Sequence, residues 1–143
     1  MADPGDLYVN LATGEVEFDD GPLVRIIKDS IFIHMAISGP SGGENKLLLI
    51  AVAKLEIVTC RSVLVGSSSP SVTWQLRHAT SRAAAGDDVL DGNATTTSTT
   101  TPETDETLLN PKIEAGEALW LVTTAIGGSV DEFGLTILAR WRK

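Results

Sequence analysis

The feature that most constrains the fold of this chain is a two-residue alternation of apolar side chains, clearest near its C-terminal end. Every second residue of the final segment is apolar, namely Phe133, Leu135, Ile137, Ala139 and Trp141. Polar side chains such as Thr136 and Arg140 lie between them. A period of two places alternate side chains on one face of a β-strand, whereas an amphipathic helix repeats every 3.6 residues. The segment is therefore predicted to be a half-buried strand.

Shorter segments of the same kind recur along the chain and are separated by turn-forming residues. Odd positions are apolar in residues 31–37, Trp74 alternates with polar neighbours, and residues 118–122 are apolar on both faces. Gly127-Gly128 predicts a hairpin between the last two strands. No stretch has the period of an amphipathic helix. The sequence therefore predicts an all-β fold, either a jelly-roll-like antiparallel β-sandwich or a barrel.

The N-terminal part predicts hairpins. Residues 7–10 and 15–18 flank a turn that contains Gly14, and residues 23–28 form a second extended pair with residues 31–37. Residues 38–45 are rich in Gly, Ser and Pro and mark a boundary. We expect a hairpin or arm region over residues 1–45 and a β-sandwich domain over residues 46–143, which together form one compact unit.

Residues 46–58 are ambiguous, because a short apolar run fits a buried strand or a buried helix. The frequent β-branched residues after residue 54 favour a strand, in which Leu55, Ile57 and Thr59 share one face.

Composition excludes several classes of protein. The apolar share is 43%, too high for intrinsic disorder, and no apolar run is long enough for a membrane helix. A single cysteine, Cys60, excludes an intrachain disulfide. The net charge of -8 disfavours nucleic-acid partners. The acidic N-terminus is unlike a secretory leader, so we expect synthesis in a reducing cytosol.

Residues able to carry out catalysis are few. His34 falls on the polar face of its strand, His78 continues the face of Trp74, and Cys60 fits a small apolar filler. No nucleophile motif or phosphate-binding loop is complete. We therefore expect no enzymatic activity, no catalytic residue and no cofactor.

Metal binding is weakly indicated. Asp87, Asp88, Asp91 and Asn93 cluster near a turn, but Val89 and Leu90 interrupt the alternating oxygen ligands of a calcium loop. A solvated turn is the favoured interpretation, and a calcium site shared between loops stays open. Zinc ligands at tetrahedral spacing are missing.

Three tryptophans, Trp74, Trp120 and Trp141, are the candidate ligand-binding or packing residues. Core packing is favoured, because a buried tryptophan removes a large apolar area from water. A buried indole N–H then needs an acceptor such as a loop carbonyl or a threonine hydroxyl. Exposed tryptophans would instead stack on sugars. The Ser/Thr tract at residues 95–101 predicts an exposed edge strand or a solvated loop.

The sequence from residue 53 to residue 141 resembles a group of small structural proteins of tailed bacteriophages. The resemblance rests on Val72-Thr73-Trp74-Gln75-Leu76-Arg77-His78, the threonine-rich tract and Trp120-Leu121-Val122-Thr123-Thr124. It implies a virion protein that binds the capsid or tail, either a head decoration (cement) protein or a spike or fibre component, and a homotrimer. It implies no catalytic residue.

Two function hypotheses follow. The first is a non-enzymatic bacteriophage virion protein, most simply a capsid decoration protein, with no membrane or nucleic-acid partner. The second is a fibre or carbohydrate-binding module that recognises host glycans through its tryptophans. Under the first hypothesis, the N-terminal region is an arm that reaches a neighbouring subunit, and removal of residues before Ser38 is expected to abolish assembly.

Overall fold

The computed structural model describes residues 7–10, residues 15–18 and residues 30–143, and its contacts divide the chain into two compact units, Met1–Ser30 and Ile31–Lys143. Strands β1 (Leu7–Asn10) and β2 (Glu15–Phe18) pair antiparallel, with Leu7 opposite Phe18. The predicted pairing of these segments is confirmed. The predicted strand at residues 23–28 lies outside the described residues.

The second unit contains eight antiparallel strands and, within the described residues, no helix. The strands are β3 (Ser30–Ser38), β4 (Asn45–Ile50), β5 (Leu55–Ala79), β6 (Asp87–Asp88), β7 (Ala94–Thr96), β8 (Glu103–Asp105), β9 (Lys112–Ile113) and β10 (Ala118–Trp141). The all-β, antiparallel prediction is confirmed. In the part of the chain that is described, no helix is long and apolar enough to cross a membrane.

Two long strands organise this unit. β5 has 25 residues, β10 has 24, and they pair along nearly their whole length, from Ala118 opposite Ala79 to Trp141 opposite Leu55. β3 and β4 also pair with β10, while β6, β7, β8 and β9 pair with β5. The hairpin predicted at Gly127-Gly128 is wrong, because both glycines lie inside β10.

The two glycines mark a bend in the long strand pair. The register of β10 against β5 shifts between Thr123 and Ala125, between Gly127 and Ser129, and between Val130 and Glu132. Gly128 has a φ of 63°, and a Cβ there would lie 2.5 Å from the carbonyl oxygen of Ser68. Only glycine tolerates this combination of positive φ and close backbone approach. The glycine pair therefore bends strands rather than ending them.

The bend brings the two halves of the strand pair together in a sandwich-like arrangement. Trp74 lies in the second half of β5 and Phe133 in the second half of β10, on opposite sides of the bend, and their ring centroids are 6.0 Å apart. One apolar core includes residues of both halves, among them Leu64, Leu76, Leu119 and Leu135.

In residues 46–58, where the sequence left a strand and a helix open, the regular secondary structure is β-strand. β4 ends at Ile50, and β5 begins at Leu55 after a short turn. A bulge then changes the predicted alternation, because Ala139 pairs with Ile57 and Leu138 with Thr59, which leaves Val58 as the extra residue. Beyond the bulge, Cys60 rather than Thr59 points into the core.

Candidate interaction surface

A groove lies on the outer face of the sheet formed by β3, β10 and the first half of β5. Its volume is about 390 Å³. The outward-facing side chains of three neighbouring strands and one loop residue line it, namely Phe32, His34, Thr59, Arg61, Val63, Pro102, Thr136 and Leu138. Phe32 is 73% exposed at its margin. The groove is therefore a shallow, mainly apolar depression in a sheet face.

Few polar groups interrupt the groove. Nδ1 of His34 lies 3.0 Å from Oγ1 of Thr136, so these two side chains bond to each other across β3 and β10. Arg61 is its one charged side chain. The guanidinium groups of Arg77 and Arg140 pair with carboxylates elsewhere on the surface, whereas Arg61 has no ion pair with any described residue. The groove offers apolar contact and one positive charge.

The edges of the sheets differ in length and protection. On the side of β5, four strands of two or three residues pair with it. Very short edge strands protect a sheet against pairing with another chain. On the side of β10, β3 has nine residues and β4 has six, and among the described residues neither pairs with any strand except β10. Against the described residues, these two strands are the open edges of the second unit.

Four of the seven large, exposed apolar side chains of the described residues lie in β3, in β4 or in the turn after β4, and the other three are Val58, Val65 and Leu109. Phe32 belongs to β3, Leu47 and Ile50 belong to β4, and Val52 follows in the turn after β4. Leu47 is 45% exposed, Ile50 is 61% and Val52 is 86%. β3 contains no acidic residue, lysine or arginine, and β4 contains one charged residue, Lys46. Long, weakly charged edges with exposed apolar side chains favour contact with other chains.

Trp74 lies in the core and its indole N–H has a specific acceptor. The ring is 1% exposed, and Nε1 donates a hydrogen bond to Oγ1 of Thr96 at 2.9 Å. The Thr96 hydroxyl also bonds to Oγ of Ser62 at 2.6 Å. Of the two acceptors that the sequence left open, a loop carbonyl and a threonine hydroxyl, Trp74 uses the hydroxyl. The threonine tract is an edge strand followed by a loop, as predicted, except that Thr96 is buried.

The other two tryptophans lie in different environments. Trp120 is 2% exposed, with Arg82 stacked over its ring at 5.8 Å and Gly86 against its edge. Trp141 is partly buried against the core. Trp74 and Trp120 thus present no face to solvent, and Trp141 is the one that keeps a partly exposed ring.

His78 and Cys60 are both buried. Nδ1 of His78 lies 2.9 Å from Oε2 of Glu117, and Nε2 lies 3.2 Å from the carbonyl oxygen of Asn110, so both ring nitrogens have acceptors. Burial, together with the nearby Asp105 carboxylate, raises the pKa of Cys60 to about 12. A thiol with so high a pKa has almost no thiolate at neutral pH and is a poor nucleophile.

The acidic cluster near residue 90 is divided among separate contacts. Oδ1 of Asp88 accepts a hydrogen bond from Nε of Arg77 at 2.7 Å. The main-chain N–H of Asp91 donates to the carbonyl oxygen of Thr107. Within residues 30–143, no three His, Cys, Asp or Glu side chains come together in an arrangement that could hold a metal ion.

Comparison with known proteins gives weak structural similarity and no sequence family. No protein-family model and no curated protein matches this chain. A structure of infectious bursal disease virus, Gx strain, is similar with a TM-score of 0.37 and 15% identity, covering 99% of this chain and 38% of that chain. The Gt strain structure has a TM-score of 0.34 and 14% identity, covering 96% of this chain and 43% of that chain.

A third similar structure is a VP2 protein variant of infectious bursal disease virus in derived T=1 particles. Its TM-score is 0.32 and its identity 13%, covering 96% of this chain and 41% of that chain. This chain spans less than half the length of each of these chains. The similarity is to viral capsid proteins, and at these TM-scores it carries no argument about what this chain does.

Proposed function

We propose that this chain is a non-enzymatic structural protein of a bacteriophage virion, a capsid decoration protein that acts through protein–protein contacts. The observation that supports this proposal is the pair of open edges, β3 and β4, with their exposed apolar side chains. An open strand edge offers main-chain donors and acceptors to another chain, and the neighbouring apolar side chains add the area that a stable contact buries.

The side chains with catalytic potential support a structural role. His78 is held between Glu117 and the Asn110 carbonyl, and Cys60 is a buried, protonated thiol. The groove on the outer sheet face contains one charged side chain, Arg61, and no carboxylate. A catalytic site needs an acid, base or nucleophile in contact with a cleft. The groove is better suited to a protein segment than to a reaction.

The partners in this proposal are further copies of the chain, in a homotrimer, and the capsid or tail proteins of the particle. Synthesis in the host cytoplasm is followed by incorporation into the virion. Attachment to the head, as a decoration protein, is favoured over a fibre or spike role. The glycan-binding alternative depends on Trp141, because Trp74 and Trp120 have no solvent-facing ring.

The experiment that tests the proposal is co-sedimentation with phage particles assembled without this protein. The wild-type chain is expected to pellet with the particles, and Val52→Asp is expected to pellet less. Leu109→Asp is the matched control, because Leu109 is 56% exposed but lies away from both open edges. A strictly monomeric wild-type chain that pellets with neither heads nor tails would contradict the proposal.

A further inference from the structure

We infer that a small cleft between β7 and β8 is a binding site for ordered water, which completes a hydrogen-bond chain that starts at the buried indole of Trp74. The inference does not rest on the proposed function. Side chains of β5, β7 and β8 line the cleft, among them Ser62, Thr96 and Asp105. The volume of the cleft is about 60 Å³. Since a water molecule occupies about 30 Å³ in the liquid, the cleft has room for about two waters.

The two buried hydroxyls that line the cleft have one hydrogen more than their protein acceptors can take. Nε1 of Trp74 donates to Oγ1 of Thr96 at 2.9 Å, and Oγ1 of Thr96 lies 2.6 Å from Oγ of Ser62. Each hydroxyl has one hydrogen, and only one of the two hydrogens can lie between the two oxygens. Among the described residues, neither hydroxyl has a further hydrogen-bond partner. Whichever hydroxyl donates to the other, the second hydrogen needs an acceptor.

Burial makes this acceptor necessary. Ser62 is 4% exposed and Thr96 is 1% exposed. A buried donor without an acceptor is costly, and buried polar groups in native proteins are nearly always bonded to protein or to ordered water. Both hydroxyl side chains line the cleft, so a water inside it is within their reach. The water oxygen accepts the remaining hydroxyl hydrogen.

Asp105 provides an acceptor for the hydrogens of this water. Oδ1 of Asp105 accepts a hydrogen bond from the N–H of Thr107 at 2.9 Å, and Oδ2 accepts none from any described residue. Asp105 lies opposite Cys60 in the ladder between β5 and β8, and burial together with this carboxylate raises the pKa of Cys60. The carboxylate therefore acts close to the core. A water between a buried hydroxyl and Asp105 has the two polar partners that a buried water needs.

The second carboxylate of the cleft, Glu103, is already occupied by the threonine tract. Its Oε1 accepts hydrogen bonds from the N–H of Ser98 at 2.9 Å and from the hydroxyl of Thr97 at 3.0 Å. Its Oε2 lies 3.2 Å from the main-chain nitrogen of Thr97. Asp105 is thus the carboxylate with an oxygen to spare.

Water fits the cleft better than a cation does. A cation binds the lone pairs of oxygen ligands and would leave the remaining hydroxyl hydrogen without an acceptor. Within the described residues, no three His, Cys, Asp or Glu side chains are placed to hold a metal ion. A water both accepts from the hydroxyl and donates to the carboxylate, so it satisfies both groups.

The water joins two strands that do not pair with each other among the described residues. Thr96 belongs to β7, which pairs with residues 72–74 of β5, and Asp105 belongs to β8, which pairs with residues 60–62. These two parts of β5 lie on opposite sides of its bend. Thr95 and Thr104, which also line the cleft, are exposed, so the site is open to exchange with solvent.

A high-resolution crystal structure of the full-length wild-type chain tests the inference directly. We expect a water oxygen about 2.7–3.0 Å from Oγ of Ser62 or Oγ1 of Thr96, and within hydrogen-bond distance of the Asp105 carboxylate. A cleft without ordered density, or a further protein acceptor for either hydroxyl, would overturn the inference. Ligand distances near about 2.4 Å and an anomalous signal after a calcium soak would also overturn it, because they identify a cation.

Urea unfolding of the full-length chain tests the bridge in solution. Ser62 and Asp105 have no direct hydrogen bond to each other, so the water is the partner that they share. We expect Ser62→Ala to lower the urea midpoint less in the Asp105→Ala background than in the wild type. Equal losses in the two backgrounds would contradict the water bridge.

Glu106→Ala is the matched control for Asp105→Ala. Glu106 is the exposed carboxylate next in the chain and does not line the cleft. Its removal is expected to leave the loss caused by Ser62→Ala unchanged. A coupling to Glu106→Ala as large as that to Asp105→Ala would overturn the inference, because the coupling would then come from charge alone.

Discussion

The buried hydroxyl of Thr96 is expected to contribute more to the free energy of unfolding than the exposed hydroxyls of the same threonine tract. It accepts a hydrogen bond from Nε1 of Trp74 at 2.9 Å and bonds to Oγ of Ser62 at 2.6 Å. All three residues are at most 4% exposed. Thr96→Val keeps the shape of the side chain but removes the hydroxyl. The indole N–H is then left in the core without its protein acceptor.

The expected cost follows from this geometry. A buried donor that loses its partner costs about 1–3 kcal/mol, and the Ser62 hydroxyl loses its partner in the same substitution. We expect Thr96→Val to lower the free energy of unfolding by about 2–4 kcal/mol. Thr99→Val is the matched control, because Thr99 is an exposed residue of the same tract, and its effect is expected within about 0.5 kcal/mol.

Urea unfolding followed by far-ultraviolet circular dichroism and tryptophan fluorescence measures the effect. An unchanged dependence on denaturant concentration shows that the unfolded state is not altered. The Trp74→Phe background completes a double-mutant cycle, since Phe has no N–H to leave unpaired and Thr96→Val should cost less there. Equal costs in both backgrounds, or a Thr96→Val effect no larger than that of Thr99→Val, would refute the reasoning.

Three further predictions concern Cys60, Gly86 and the N-terminal unit. Burial raises the pKa of the Cys60 thiol to about 12, so native protein at pH 8 is expected to resist alkylation and to react only when unfolded. The folded protein binds the thiol proton of Cys60 more tightly than the unfolded chain does. The resulting stabilisation is complete below pH 9 and is lost as the pH rises towards 12. Measurement of the free energy of unfolding as a function of pH checks this expectation. Gly86→Ala is expected to lower the thermal unfolding temperature more than Gly92→Ala. Both glycines have a positive φ, but a Cβ at Gly86 would lie 2.7 Å from the Trp120 ring, whereas a Cβ at Gly92 would meet nothing within 4 Å. Removal of residues 1–29 is expected to leave a folded second unit but to abolish assembly, as measured by native mass, and retained assembly would contradict the arm hypothesis.

The sequence pattern predicted the strands and many of their buried faces. Residues 133–141, which alternate most regularly, belong to β10, and residues 118–121 are buried on both faces as expected. The acceptor for a buried indole was also predictable, because an N–H donor in a core must find an oxygen and the threonine tract supplies many. These features depend on local periodicity and on satisfying polar groups.

The continuity of the long strands was not predictable from local pattern. Gly66, Pro70 and the Gly127-Gly128 pair are turn signals by residue type, yet all four residues lie inside β5 or β10. At Gly66 the chains approach so closely that a Cβ would contact the carbonyl oxygen of Ser129, so only glycine fits there. The bulge at Val58 was hidden for a related reason, since one inserted residue reverses the faces of everything that follows it.

The position of the truncation decides what the removal experiment tests. The Gly- and Ser-rich residues 38–45 predict a boundary by composition, and a truncation placed before Ser38 removes β3. β3 pairs with β10, and Ile37 belongs to the core of the second unit, so such a truncation removes part of the sheet together with the N-terminal unit. A loss of assembly would then have two causes. A truncation after residue 29 keeps β3 and tests the N-terminal unit alone.

The two sides of the long strand pair differ in the length of the strands that border them. β5 is bordered by four strands of two or three residues, whereas β10 is bordered by one strand of nine residues and one of six. No single residue encodes this difference, because it arises from which segments meet after the strands bend. Against the described residues, the side of β10 leaves edge strands long enough to pair with another chain, and the side of β5 does not. Changes to exposed residues of β3 and β4 should therefore alter assembly, while equally exposed changes beside β6 to β9 should leave it unaffected.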